Sequence, residues 1–88
     1  MNKRTAKKLD KIDSKLLAIY EELENLLNDE IEVQLEKAED YLNDHEESEK
    51  AQERYDSWEN AQSEVQEIIE GLDELRSRLQ SVYEEFID

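Results

Sequence analysis

Apolar residues along the chain recur in alternating steps of three and four, the spacing that places side chains on one side of a helix. In the second half the pattern runs without interruption from Trp58 to Phe86. One repeat position holds Trp58, Val65, Leu72, Leu79 and Phe86, and the other holds Ala61, Ile68, Leu75 and Val82. This pattern predicts one long helix whose apolar seam packs against another helix.

The first half begins with the same repeat and then changes phase. Its two repeat positions hold Leu9, Leu16, Leu23 and Ile12, Ile19, Leu26. Beyond Leu23 the apolar residues step by four, through Leu27 and Ile31. One interpretation is a continuous helix that absorbs a stutter in the repeat. The other is a break near Asn28, with Asp29 and Glu32 at the spacing of a capping box that starts a new helix.

Residues 43–48 contain no apolar side chain and predict a turn. We therefore expect an all-α fold in which residues 1–88 form a single all-helical domain. A helix from about 4–42 and a helix from about 49–87 would fold back on each other as an antiparallel hairpin. Six apolar layers match if Leu9 meets Val82 and Leu26 meets Val65, and a shift by one heptad also matches, so two registers stay open.

A second apolar stripe runs beside the seam. Its members are Tyr20, Leu27, Ile31, Ile69 and Tyr83. Seam and stripe together are wider than the contact between two helices, and such a width is typical of helices in larger bundles. We expect the stripe to make the hairpin dimerise into a four-helix bundle, or to bury itself against another protein.

Charge is distributed unevenly along the chain. The whole sequence carries 11 Lys and Arg against 26 Asp and Glu, a formal charge of −15, although the first 15 residues have a net charge of +4. Residues 29–59, which surround the turn, hold 13 acidic and 3 basic residues. We expect them to form an anionic end that binds a partner through nine carboxylates: Glu36, Glu39, Asp40, Asp44, Glu46, Glu47, Glu49, Glu53 and Asp56.

The residues that catalysis requires are scarce. The chain has no Cys, one His and one Gly, which leaves no activated nucleophile and no glycine loop for phosphate. His45 lies in the predicted turn without the Glu-x-x-His spacing of a dimetal bundle site. We expect a protein that is not an enzyme and has no cofactor, metal or small-molecule substrate. No apolar run approaches 18 residues, so we expect a soluble cytoplasmic protein with no membrane partner.

Two functional hypotheses follow from this pattern. The first is an acidic binding protein, an inhibitor or modulator that imitates DNA, as phage and mobile-element proteins do, and occupies the basic surface of a nucleic-acid-handling protein. Its own charge would prevent direct binding to nucleic acid. The alternative is a structural coiled-coil homodimer that acts as a scaffold, assembly factor or secretion chaperone.

Overall fold

The computed structural model describes residues 3–86, and the predicted end of the second helix at residue 87 lies outside them. All described residues except those at positions 45–48 are helical, and none of them is in a strand. The prediction of an all-α fold is confirmed. Helix α1 spans Lys3–Leu26, a π-helical segment spans Leu27–Ile31, helix α2 spans Glu32–Asp44, and helix α3 spans Glu49–Phe86. We call the first three segments the first arm and α3 the second arm.

The first arm is a continuous helix, as the first interpretation of the phase change expected, and a π-helical segment absorbs the additional residue. The backbone stays helical through this region, and the N–H of Glu32 donates to the carbonyl oxygen of Leu27, five residues back. This wider turn accommodates one additional residue and keeps apolar side chains in steps of four on one side. Leu27 and Ile31 are consequently both buried. Neither residue that flanks the segment makes a side-chain capping bond, so no new helix starts at Asn28.

The chain reverses within a shorter turn than predicted, because the first arm continues to Asp44. The N–H of Ser48 donates to the carbonyl oxygen of His45 at 2.9 Å and closes the turn. Ser48 then caps the second arm, since its Oγ accepts from the N–H of Ala51 at 3.2 Å.

The two arms lie side by side in opposite chain directions and form a rod of 64 × 17 × 12 Å. Arg76 on the second arm donates from Nε to Asp13 Oδ1 at 3.0 Å and from Nη2 to Asp13 Oδ2 at 3.3 Å. In the middle of the rod, buried Leu27, Ile31 and Ile69 form the core cluster. Partly buried Tyr20, Leu23, Trp58, Ala61 and Val65 pack against this cluster.

The contact between the arms uses only part of the predicted seam. In every one of the six predicted layers one residue is half-buried and the other is exposed. The exposed residues are Ile12, Ile19, Leu26, Ile68, Leu75 and Val82. In the first predicted alignment Asp13 is level with Arg78, two residues from its observed partner Arg76.

Residues assigned to the outer stripe occupy the interior instead. Leu27, Ile31 and Ile69 are buried between the arms, and Tyr20 and Tyr83 are half-buried. The physical reason is that the apolar arc on each arm spans two possible contact faces, roughly 90° apart. Three buried alanines, Ala6, Ala38 and Ala51, line the contact that forms. Their small side chains allow the arms to approach closely, and the Asp13–Arg76 pair aligns them.

Within residues 3–86 no helix is both long enough and apolar enough to cross a membrane.

Candidate functional site

The acidic end lies where the two arms join. We call the nine predicted carboxylate residues the acidic tip, and the side chains of all nine are exposed. Glu36, Glu39, Asp40 and Asp44 come from α2, Glu46 and Glu47 from the turn, and Glu49, Glu53 and Asp56 from the first two turns of α3. The turn therefore brings carboxylates from both arms to one end of the rod.

Local contacts hold this end together. The ring of His45 stacks on Tyr41, with centroids 4.1 Å apart and planes inclined by 15°. His45 Nδ1 lies 3.0 Å from the carbonyl oxygen of Tyr41, and the backbone N–H of His45 donates to Leu42. On the second arm, Gln52 donates from Nε2 to Asp56 Oδ1 at 2.8 Å. These bonds order the backbone that carries the carboxylates without neutralising them.

Tyr55, which lies beside the acidic tip, responds to the negative charge around it. The pKa of the Tyr55 phenol is raised, first by a hydrogen bond to Glu59, then by the negative charge of Glu59 and by desolvation, with smaller contributions from the charges of Glu39 and Asp56. A phenolate at this position would face several carboxylates, so the protonated form is favoured. Glu39 acts on Tyr55 from the opposite arm, so the carboxylates of both arms contribute to one negative field.

The tip is a surface of exposed carboxylates. No group of three or more Asp, Glu or His side chains in residues 3–86 is arranged to hold a metal ion. All nine carboxylates lie on the outside of the helices and point to solvent. Such an arrangement suits attraction of a cationic surface over a distance comparable to the Debye length.

A second surface was missed by the sequence analysis. One face of the rod carries seven apolar side chains that are 38–50% exposed, and we call it the exposed apolar face. Its members are Ile12, Ile19, Leu26 and Val33 on the first arm and Ile68, Leu75 and Val82 on the second. Near the acidic tip, Leu26, Val33, Trp58 and Ala61 line one open groove, so both arms contribute to the same face.

The Asp13–Arg76 pair was also missed, although a signal for it exists. Arg76 lies seven residues from both Ile69 and Tyr83, on the same repeat position of the second arm. A cation at an otherwise apolar repeat position calls for an anion on the facing helix, and Asp13 takes the equivalent place on the first arm between Ala6 and Tyr20. The hydrogen bond to Asp13 raises the pKa of Arg76, which stays charged.

Comparison of the chain with protein-family models, with curated proteins and with solved structures gives no match. The candidate functions therefore depend on the two surfaces alone.

Proposed function

We propose that this protein is a non-enzymatic acidic binding protein that occupies the basic surface of a nucleic-acid-handling protein. The observation that carries the proposal is the exposure of all nine acidic-tip carboxylates at one end of a narrow rod. The acidic tip resembles duplex DNA in the sign of its charge and in its width. A basic groove that admits duplex DNA would therefore also admit the tip. The role would be that of an inhibitor or modulator.

Charge density at this end supports the comparison with DNA. Residues 29–59 carry 13 acidic and 3 basic residues, a net charge of −10. Folded in half at about 1.5 Å per residue, this segment is roughly 23 Å long and carries about one net charge per 2.3 Å of rod. Duplex DNA carries about one charge per 1.7 Å of axis. The tip thus reaches about three quarters of the density that a DNA-binding groove has evolved to attract.

The rod also has the width for this role. Its two shorter dimensions, 17 and 12 Å, allow one end to enter a groove that accommodates nucleic acid. Attraction between the tip and such a groove would be strong at low salt and would fall as salt screens both surfaces.

Capture from an extract of the source cells tests the proposal. The immobilised chain should retain proteins that bind nucleic acid, and duplex DNA or added salt should release them. The variant with Glu46→Lys, Glu47→Lys and Glu53→Lys should lose this binding while its helicity is unchanged. A matched control with Glu67→Lys, Glu70→Lys and Glu84→Lys changes net charge equally, away from the tip, and should retain most of it.

Two results would remove the proposal. If the tip variant captures the same proteins as the parent, the carboxylates do not bind a partner and only increase the solubility of the protein. If capture is indifferent to both DNA and salt, the contact does not replace nucleic acid on a basic groove.

A second candidate function is favoured by the exposed apolar face. A helical pair that leaves seven apolar side chains open is typical of a subunit whose assembly is incomplete. In this candidate, two hairpins associate into a four-helix bundle that acts as a scaffold, assembly factor or secretion chaperone. Loss of function in a variant of the exposed apolar face, with the tip intact, would favour it over the first.

A further inference from the structure

We propose that the exposed apolar face pairs two copies of this chain around a two-fold axis that crosses the rod beside Ile19 and Gly71. The acidic tips then lie at opposite ends of the dimer. This arrangement gives the second candidate function a geometry, and it does not depend on whether the tip binds a nucleic-acid-handling protein.

The area of the face is sufficient for such a pair. Seven apolar side chains at 38–50% exposure leave on the order of 500 Å² open on each copy, so that pairing would bury on the order of 1,000 Å². About 1,000 Å² is the lower limit for a specific interface, and an apolar patch of a few hundred Å² on one chain is often functional.

The two arms agree on where the axis lies. Antiparallel self-pairing of the first arm about Ile19 brings Ile12 against Leu26 of the second copy. Self-pairing of the second arm about Gly71 brings Ile68 against Leu75 of the second copy. Within one chain, Asp13 lies level with Arg76, so Ile19, six residues further along, lies level with residue 70. The axis implied by the first arm therefore coincides, within about one residue, with the axis implied by the second.

Charges beside the face are complementary in this arrangement. On the first arm, Lys8 and Lys15 flank the apolar positions near the open end and approach Asp29 and Glu22 of the second copy, respectively. More broadly, residues 3–15, with a net charge of +4, lie beside residues 23–35 of the second copy, which carry four acidic and no basic residues.

The second arm shows the same complementarity. Glu64 and Arg78 lie seven residues before and seven residues after Gly71. The two-fold axis therefore places Glu64 of one copy opposite Arg78 of the second copy. Among residues 3–86 Arg78 makes a long, exposed contact with Glu74, at 3.9 Å, which leaves its guanidinium accessible to a second partner. The opposite arrangement, with both turns at one end, would place two segments of net charge −10 side by side, and their repulsion disfavours it.

The two-fold axis also accounts for the presence of a glycine at position 71. Gly71 lies inside α3, exposed, at a position where a Cβ would meet nothing within 4 Å, so nothing in the single chain requires glycine there. A glycine in a helix interior is destabilising relative to alanine. At the two-fold axis, Gly71 faces Gly71 of the second copy, and the absence of side chains allows the two second arms to approach closely.

The length of the exposed apolar face matches the overlap between the copies. With the axis beside Ile19, the open end of one rod at Lys3 reaches residue 35 of the second copy. The exposed apolar face of the first arm ends just inside that limit, at Val33. Residues 36–55 lie beyond the overlap of residues 3–86 of the two copies, over roughly 15 Å at about 1.5 Å per residue. Eight of the nine acidic-tip residues lie in this segment, outside the pairing.

Sedimentation equilibrium of the purified chain tests the pairing. The parent should be a dimer, and the Ile19→Glu/Ile68→Glu variant should be a single chain with a dissociation constant raised at least a hundredfold. Because both isoleucines are exposed in the single chain, helicity should be unchanged. The control variant Ser14→Glu/Gln66→Glu adds the same charges at exposed positions away from the face and should remain a dimer.

Cross-linking tests the position of the axis. The chain has no cysteine, and a disulfide requires Cα atoms within about 7 Å of each other. Gly71→Cys should oxidise to a covalent dimer at least tenfold faster than Ser63→Cys, an exposed position of the same helix that lies off the face. Equal rates at the two positions would place the axis elsewhere and overturn the proposal.

A charge exchange tests the relative direction of the copies and does not depend on the isoleucine variant remaining folded. Arg78→Glu should weaken the dimer, and Glu64→Arg/Arg78→Glu should restore it. A parent that remains a single chain at high concentration, or an exchange that restores nothing, rules the pairing out. The acidic-tip variant should dimerise like the parent, so a failure of tip binding and a failure of pairing give different results.

Discussion

Two neighbouring isoleucines provide the sharpest test of how the arms pack. Ile69 is 5% exposed in the core cluster, whereas Ile68, the next residue, is 50% exposed on the exposed apolar face. Replacing Ile69 with Ala removes three buried carbon atoms, worth about 2.4 kcal/mol of transfer free energy. The cavity left behind raises the expected loss of unfolding free energy to about 3 kcal/mol.

The same substitution at Ile68 serves as the control. Its side chain is already half in water and leaves no cavity, so Ile68→Ala should cost about 1 kcal/mol in the single chain. Both substitutions change helix propensity equally, so this contribution cancels in the comparison. The expected difference of about 2 kcal/mol is a large part of the stability of a rod of this length.

Urea unfolding followed by circular dichroism measures the two losses. It should be performed at a concentration at which sedimentation shows single chains, so that pairing through Ile68 does not contribute. With a slope near 1.5 kcal/mol per molar urea, the midpoint should fall by about 2 M for Ile69→Ala and by less than 1 M for Ile68→Ala. Equal losses, or a larger loss at Ile68, would refute the packing described here and favour the seam expected from the heptad pattern.

Three further predictions concern charge and the turn. Because the net charge is −15, raising salt from low to moderate concentration should raise the melting temperature of the helical signal, and a steady fall would contradict this. Ser48→Ala removes the cap on the N–H of Ala51 and should lower unfolding free energy by about 1 kcal/mol, whereas Ser57→Ala, inside the helix, should not. The pKa of Tyr55 should lie above the ordinary tyrosine value in an ultraviolet titration, and Glu59→Gln should lower it. Any stability that this shift provides is present at neutral pH and is lost as pH rises through the raised pKa.

The helices and the position of the turn could be predicted from residues that are close together in the chain. Apolar residues in steps of three and four predict helices in any context, and a segment without apolar residues beside Asn43 and Ser48 predicts a turn. The exposure of the acidic-tip carboxylates follows from the same information, because unpaired carboxylates cannot be buried at acceptable cost. These properties depend on residues that are close together in the chain.

The phase change near Leu27 was visible in the sequence, but its form was not. Steps of four from Leu23 to Ile31 are compatible with a continuous helix that absorbs a stutter, with a break, or with a π-helical turn. Which of these forms occurs depends on which side of the helix is buried against the other arm. Packing of Leu27 and Ile31 against Ile69 favours the wider turn, because it buries both without interrupting the helix.

Which apolar face joins the arms was decided only by the tertiary structure. Ile68 belongs to an unbroken apolar repeat with Ala61, Leu75 and Val82, whereas Arg76 interrupts the repeat of Ile69. The heptad pattern therefore favoured burial of Ile68, and the structure buries Ile69 instead. The distinction arises from contacts between residues far apart in the chain. Asp13 and Arg76, which are 63 residues apart, align the arms, and the small side chains of Ala38 and Ala51 let them approach. A heptad pattern records how many apolar faces a helix has, whereas the partner helix determines which of them is buried.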